Sequence, residues 1–325
     1  MNPSQAIPYI NALSTASTPF LLLADFELDK IKVIPLSELT SDILYDINGS
    51  ANHNLYHKTP SAIHLNVKPH PFDKYYHEFD GVMDELLFGN TFLINLTSKN
   101  KVETSASLID IFGLAKAKYK LHVNMDGDNF VVFSPETFIK INNGTISTYP
   151  MKGTIDASIP GAKELLTNDL KELAEHYTIV DLLRNDLSIH AKKVEVTRFR
   201  YLDLIRSNNK NLYQASSEIK GQLPKDYKTR LGDIIFSMLP AGSISGAPKK
   251  KTVEIIQTTE PQPRGYYTGI CGLFDGQNFD SFVMIRYLEK IQNELFYRSG
   301  GGITFKSQVE EEYQEMIDKI YIPIG

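Results

Sequence analysis

The sequence predicts an α+β fold: one large domain with antiparallel sheet at its centre and helices outside. Three observations carry this. Short apolar-rich runs with alternation, such as "TFLINLTS", "YKLHV" and "NFVVFSP", recur between turn signals. Strand pairs flank Asp126-Gly127 and Asn143-Gly144, dipeptides that favour tight antiparallel hairpins. Between and after them lie stretches with apolar residues three to four apart, the period of a helix with one buried face. No compositional break marks a linker.

Taken in order, "PFLLLADFELDKIKVIP" (19–35) reads as two short strands around an acidic turn. Residues 41–74, rich in Asn, His and Pro, read as loop with short elements. Phe72 to Leu87 has helical spacing. Strands follow to Tyr149. Residues 160–188 return to helical periodicity, and "VEVTRFRYLDLI" and "LYQASSEIKGQL" read as strands. "KDYKTRLGDIIFSMLP" is a helix stopped by Pro240. The remainder gives a glycine-rich loop, a helix from Pro248, strand runs through "YYTGICGLF", "FDSFVMIRYLEKI" and "ELFYRSGGGITF", and a closing helix over 309–320. The expected division is 1–71, strands and loops completing the same domain, and 72–321, the region that carries the chemistry.

Composition narrows the class. Of 325 residues, 42% are hydrophobic and 22% charged, as in soluble globular proteins. A formal charge of −5 without a basic block gives no nucleic-acid footprint. The single cysteine, Cys271, excludes an internal disulfide framework and fits a reducing compartment. The apolar run Phe20–Ala24, closed by Asp25, is too short for a signal or membrane-spanning helix. The expected address is the cytoplasm.

Several motifs bear chemistry. In "KELAEH" Glu172 and Glu175 stand three apart, so their carboxylates share a helix face; Glu312 and Glu315 repeat this, with Lys319 four positions on. Two such acidic faces meet only around a cation, and oxygen-only ligands suit Mg²⁺; the spacing alone also fits two solvated helix faces. "PAGSISGAPKKKTVEII" (240–256) sets Ser243 and Ser245 among glycines before a helix start, an arrangement that fits an anion site or a plain helix entry. In "RSGGGITF", Gly300, Gly301 and Gly302 permit close approach of a ligand to backbone, or a bulge. Arg286 lies in an apolar strand run and needs an anionic partner, a substrate carboxylate or a structural Glu. Tyr267 could serve the same ligand or pack. "HNLYH" (53–57) has metal-helix spacing but no zinc-protease glutamate. In "STYPMKGTID", Lys152 sits at a turn, as a surface lysine or a nucleophile.

Taken together and in order, "SPE" (134–136), "PMKGT" (150–154), "KELAEH" with "DLLRNDL", "PAGSISGAPKKKTVEII", "RGYYTG", "IR" (285–286), "SGGGI" and "EEEYQEMIDK" resemble the chorismate-utilising enzymes. These include the anthranilate, aminodeoxychorismate, isochorismate and salicylate synthases. The resemblance runs from about Phe72 to Lys319. It implies a large antiparallel sandwich core surrounded by helices, chorismate as substrate, and Mg²⁺ held by Glu172, Glu175, Glu312 and Glu315. It places Gly153, Thr154, Gln214, Ser243, Tyr267, Arg286, Gly300–Gly302 and Lys319 around the substrate.

Anthranilate synthases usually carry alanine at the Lys152 position. A lysine there resembles the aminodeoxychorismate synthases, where it is implicated as a covalent nucleophile, with Glu136 as the general acid. Leu93 stands where water-using members carry a basic lysine and ammonia-using ones usually glutamine. Gln214 replaces the family's usual histidine and cannot carry a proton. No Gly-x-Cys-x-Gly elbow is present, so the resemblance implies ammonia from a separate glutamine amidotransferase subunit. It also implies release of 4-amino-4-deoxychorismate without a fused lyase. "LLLAD" (21–25) matches the family's regulatory tryptophan stretch poorly, so tryptophan feedback is not expected. Anthranilate synthase component I is the alternative activity; a silent chorismate-binding subunit is the reading from a different class.

Overall fold

The computed structural model describes residues 1–55, 63–205 and 211–324. The first half runs α1 (Pro3–Thr15), β1 (Phe20–Ala24), β2 (Ile31–Pro35), β3 (Ile43–Ile47), β4 (Ser50–Ala51), β5 (Asn66–Lys68), α2 (Phe72–Phe88), β6 (Leu93–Glu103), α3 (Leu108–Leu114), β7 (Tyr119–Met125), β8 (Asp128–Ser134), β9 (Thr137–Asn142), β10 (Thr145–Thr148) and β11 (Met151–Asp156). It continues α4 (Ala162–Asn168), α5 (Leu170–Ser188), β12 (Lys192–Ile205), β13 (Leu212–Gln222), α6 (Leu231–Ser237), α7 (Gly242–Ser245), β14 (Gly246–Ala247), α8 (Lys249–Thr259), β15 (Ile270–Phe274), β16 (Phe279–Val283), β17 (Tyr287–Ile291), β18 (Glu294–Ile303) and α9 (Val309–Asp318).

The strands form two antiparallel sheets. One is ordered β11-β13-β10-β9-β16-β15-β1-β2, with β12 also on β13. The other is ordered β14-β6-β18-β17-β8-β7-β3-β4, with β5 also on β6. Both anticipated hairpins form, and all four turn residues take the positive φ that a two-residue primed turn demands: Asp126 and Gly127, Asn143 and Gly144. The class is α+β, as the sequence indicates.

Strand β1 shows how the layers are held. All five of its residues are fully buried, because successive side chains point to opposite faces and both faces are covered. Leu21 and Leu23 enter the layer between the sheets with Tyr119, Val132, Cys271 and Phe282. Phe20, Leu22 and Ala24 enter the core beneath the helices, with Ile10, Ile234 and Phe274. Each large aliphatic side chain buried this way contributes roughly 1.5–3 kcal/mol.

The structure corrects two local readings and adds two helices that the sequence analysis does not place. Residues 3–15 are helical despite Pro8: Asn2 and Gln5 form a reciprocal capping box, Pro3 sits in the first turn, and Ala6 and Ile10 are buried. The periodic stretch 160–188 is two helices, because Asp169 leaves helical geometry to cap α5, its Oδ1 accepting the Glu172 amide at 3.0 Å. The run 279–291 is broken at Met284–Arg286, where Arg286 takes φ +55 and so cannot continue a strand. Helix α3 was not anticipated; Ser107 and Asp110 cap it and it buries Ile111 and Phe112. His57 of "HNLYH" lies outside the described residues; His53 packs edge-on against Phe112, ring centroids 4.9 Å apart.

Candidate active site

Lys152 lies on β11, where the pairing with β13 slips between Met151 and Thr154. Gly153 makes the slip, at φ +81. A larger residue there would be strained by the positive φ, and its Cβ would crowd Glu172 Oε2 and Leu166 Cδ1, each 3.0 Å away. The strand thus turns Lys152 inward, against α5. Its Nζ is 3.8 Å from Glu175 Oε2 and its side chain is 20% exposed. Thr154 lies beside Gln214 in the β11–β13 register, which brings those two predicted residues together.

The floor opposite is β18. A Cβ on Gly302 would meet Lys152 Nζ at 2.8 Å and Leu93 Cδ1 at 3.2 Å. A Cβ on Gly301 would meet Glu312 Oε2, Glu315 Oε1 and Lys319 Nζ at 3.4, 3.5 and 3.6 Å. Gly300 backs onto the Leu96 carbonyl, where a Cβ would come within 2.2 Å. Three bare backbone positions therefore let helix α9 and Lys152 close on one strand. Lys319 caps that helix, donating to the Gly300 carbonyl at 2.9 Å and pairing with Glu315 at 2.6 Å. Burial pulls the Lys319 ammonium below its ordinary range; Glu315 opposes this, while Arg286 and Lys152 add to it.

Glu136 follows β8. Its amide donates to Ser134 Oγ at 3.1 Å, and its Oε1 accepts from Ser243 Oγ on α7. Burial holds its carboxyl above the ordinary range. Ser243 and the cations Lys152, Arg286 and Lys319 pull the other way. A carboxyl of this kind stays protonated to higher pH and can donate.

Arg286 sits in the β16–β17 break with its guanidinium 5.3 Å from the Tyr321 ring centre. Its Nε is buried and has no hydrogen-bond partner among the described residues, leaving a donor for an anion. Tyr267 is buried nearby, its hydroxyl pushed up to about 12 by burial, so it is a donor at neutral pH.

The expected metal carboxylates stand as two pairs. Glu172 and Glu175 face Gly153 and Lys152; Glu312, 4% exposed, and Glu315 face Gly301 and Lys319. Among the described residues no three carboxylate, imidazole or thiolate groups gather closely enough to hold an ion.

Two supports escaped the sequence reading. His176, next to Glu175, is fully buried with Nε2 2.7 Å from Ser217 Oγ, and the Ser217 amide donates to the Pro150 carbonyl at 2.9 Å, steadying the Lys152 turn. Burial, with Arg200 and Lys152 adding, pulls the imidazole down to about 4. Asp186 pairs with Lys249 at 2.8 Å, joining α5 to the helix behind Ser243. The signals in the sequence are the adjacency of His176 to Glu175 and the place of Asp186 in "DLLRNDL".

Residues 27–324 match the family model of the chorismate binding enzyme. The chain belongs to the chorismate binding enzymes. It is 46% identical over 321 residues to an uncharacterized PabA-like protein of Pasteurella multocida, covering 98% of each chain. It is 32% identical over 262 residues to aminodeoxychorismate synthase component 1 of Escherichia coli, covering 76% of this chain and 56% of that protein. Among solved structures, anthranilate synthase component I from Streptococcus pneumoniae superposes with a TM-score of 0.68 at 27% identity, covering 79% of this chain and 58% of that one. This chorismate binding chain therefore spans little more than half the length of those two named enzymes. No helix among its described residues is long and apolar enough to cross a membrane.

Proposed function

We propose that the chain is a cytoplasmic aminodeoxychorismate synthase component I, which replaces the C4 hydroxyl of chorismate by ammonia received from a separate glutamine amidotransferase subunit. The observation that carries this reading is Lys152, turned by Gly153 into the cleft beside Gly302 and Glu175, with Glu136 buried in the field of the same lysine. Its neutral amine adds at C2, both conjugated ring double bonds shift by one position, and the C4 oxygen leaves as water with the proton of Glu136. Ammonia then forms the C4–N bond, both double bonds shift back, and the C2–N pair returns to Lys152. The extra proton on the new amine goes to the Glu136 carboxylate, which resets the site. Two easier displacements replace one hard one. The substrate's carboxylates take the Arg286 guanidinium, the Tyr267 hydroxyl, Lys319 and the amides of Gly300–Gly302. Ser243 holds Glu136, and Thr154 with Gln214 borders the ring.

The carboxylate pairs fit Mg²⁺, because it takes hard oxygen donors, keeps several waters and completes its shell from an anionic substrate, so no cluster of three protein ligands is needed. Glu175 and Glu315 would hold it, with Glu172 and Glu312 behind them. Bound there, it would neutralise a ring carboxylate.

The test is product analysis with chorismate, Mg²⁺ and an ammonium salt. Formation of 4-aminobenzoate only after addition of a lyase supports the reading. Direct release of fluorescent anthranilate selects the other amination, and no aminated product refutes both.

A further inference from the structure

Beyond α9 and its cap, residues 320–324 form a non-helical strap that is tied down along its length. The Tyr321 carbonyl accepts from the Tyr297 hydroxyl of β18 at 2.8 Å. The Pro323 carbonyl accepts from the Lys116 amide at 2.6 Å, and Ile324 bridges Ala115 at the end of α3. Ile320 and Ile322 pack among Ile111, Phe112 and Leu288. Tyr321, between them, joins none of the hydrophobic clusters; 39% of its surface is exposed and its ring centre lies 5.3 Å from the Arg286 guanidinium. We propose that Tyr321 is a positioning residue: pinned by the strap, its ring holds the Arg286 guanidinium in place for a carboxylate of the substrate. The assignment rests on the carboxylate-binding role given to Arg286 above.

Arg286 needs such a support. Its backbone takes φ +55 in the β16–β17 break and is fixed there by the Phe133 amide, which donates to its carbonyl at 3.2 Å. Its buried Nε has no hydrogen-bond partner among the described residues. A long side chain held only at its root spreads over several rotamers, and a ligand would have to freeze them on binding. An aromatic ring attracts a guanidinium through its negative face and takes none of its N–H donors. A glutamate in the same place would occupy those donors and cancel the charge that a substrate carboxylate seeks. The ring therefore fixes the cation and leaves it available. Burial works against the guanidinium charge, whereas Tyr321, Tyr297 and Tyr267 favour it. Tyr297 links the strap to the site, because its hydroxyl holds the Tyr321 backbone from the strand that carries Gly300–Gly302.

The test is a double-mutant cycle read by equilibrium titration of the full-length protein with chorismate, in Mg²⁺ without ammonium and carried to saturation. Tyr321→Leu is expected to weaken binding about fivefold, and Tyr321→Phe, which keeps the ring, to stay within about twofold of wild type. In an Arg286→Met background, where the charge is gone, Tyr321→Leu should add less than about twofold. A melting curve checks that each variant is folded. An equal loss from Tyr321→Leu in both backgrounds, as a merely structural strap would give, overturns the proposal. So does a Tyr321→Phe variant as weak as Tyr321→Leu. If Arg286→Met binds chorismate like wild type, the role given to Arg286 has failed and the proposal with it. If Arg286→Met weakens binding and Tyr321→Leu does not, only the assignment of Tyr321 has failed.

Discussion

Lys152 and Gly302 approach so closely that a single methyl group on the glycine would stand 2.8 Å from the lysine nitrogen. Contact at that distance forces the flexible lysine end to move, while the strand keeps its pairing with Asn95 on β6. Gly302→Ala is therefore expected to lower kcat about tenfold or more with little change in thermal midpoint, read from initial rates and a melting curve. A large fall in the midpoint instead would show that the glycine serves packing.

Lys152→Ala is expected to lose aminodeoxychorismate formation by about a hundredfold or more, with chorismate binding kept. Lys152→Arg restores nothing, because a guanidinium stays protonated and cannot attack. Coupled product assays and equilibrium titration with chorismate read both. An alanine variant at wild-type rate removes the nucleophile role.

Glu136 gives a pH dependence with a defined sign. Burial raises its pKa, so the protonated form needed for donation persists beyond the usual carboxylate range and activity falls as pH rises through the raised value. The stability linkage has the same direction: the favourable state is fully present below the unfolded pKa and is lost as pH climbs through the folded one. Glu136→Gln should abolish this limb of the rate profile and lower kcat by about 10²–10⁴-fold. A profile unchanged in shape assigns the limb to another group.

Glu315→Gln should weaken Mg²⁺ activation about tenfold or more and leave the fold intact, since its side chain is 53% exposed. Activity titrated against Mg²⁺, with a melting curve beside it, separates the two effects. Full turnover of wild-type protein in excess EDTA would overturn the metal role.

The frame was legible because hairpin turns and helical periods are local. Asp126-Gly127 and Asn143-Gly144 announce their turns without reference to anything distant. The carboxylate spacing in α5 and α9 was equally local, but spacing could not say what each helix faces. That Glu175 meets Lys152 and Glu315 meets Lys319 follows from tertiary packing. Arg286 was misplaced for a related reason: apolar neighbours read as strand, while its left-handed backbone is imposed by the chain leaving one sheet for the other. Residues 3–15 were missed because Pro8 argues against a helix, whereas burial of Ala6 and Ile10 argues for one.

Strand β1 lies far along the chain from one of its two neighbours, β15, which pairs Phe274 with Phe20. A ribosome must add about 250 residues before that edge is covered. Until then a run of fully apolar residues, "FLLLA", has only β2 for a strand partner. Pairing at such sequence separation is slow, since the loop must close before the contacts reward it. The nascent chain therefore presents an open apolar strand edge until β15 is made, and its yield in the cell should depend on holdase chaperones far more than the stability of the finished protein would indicate.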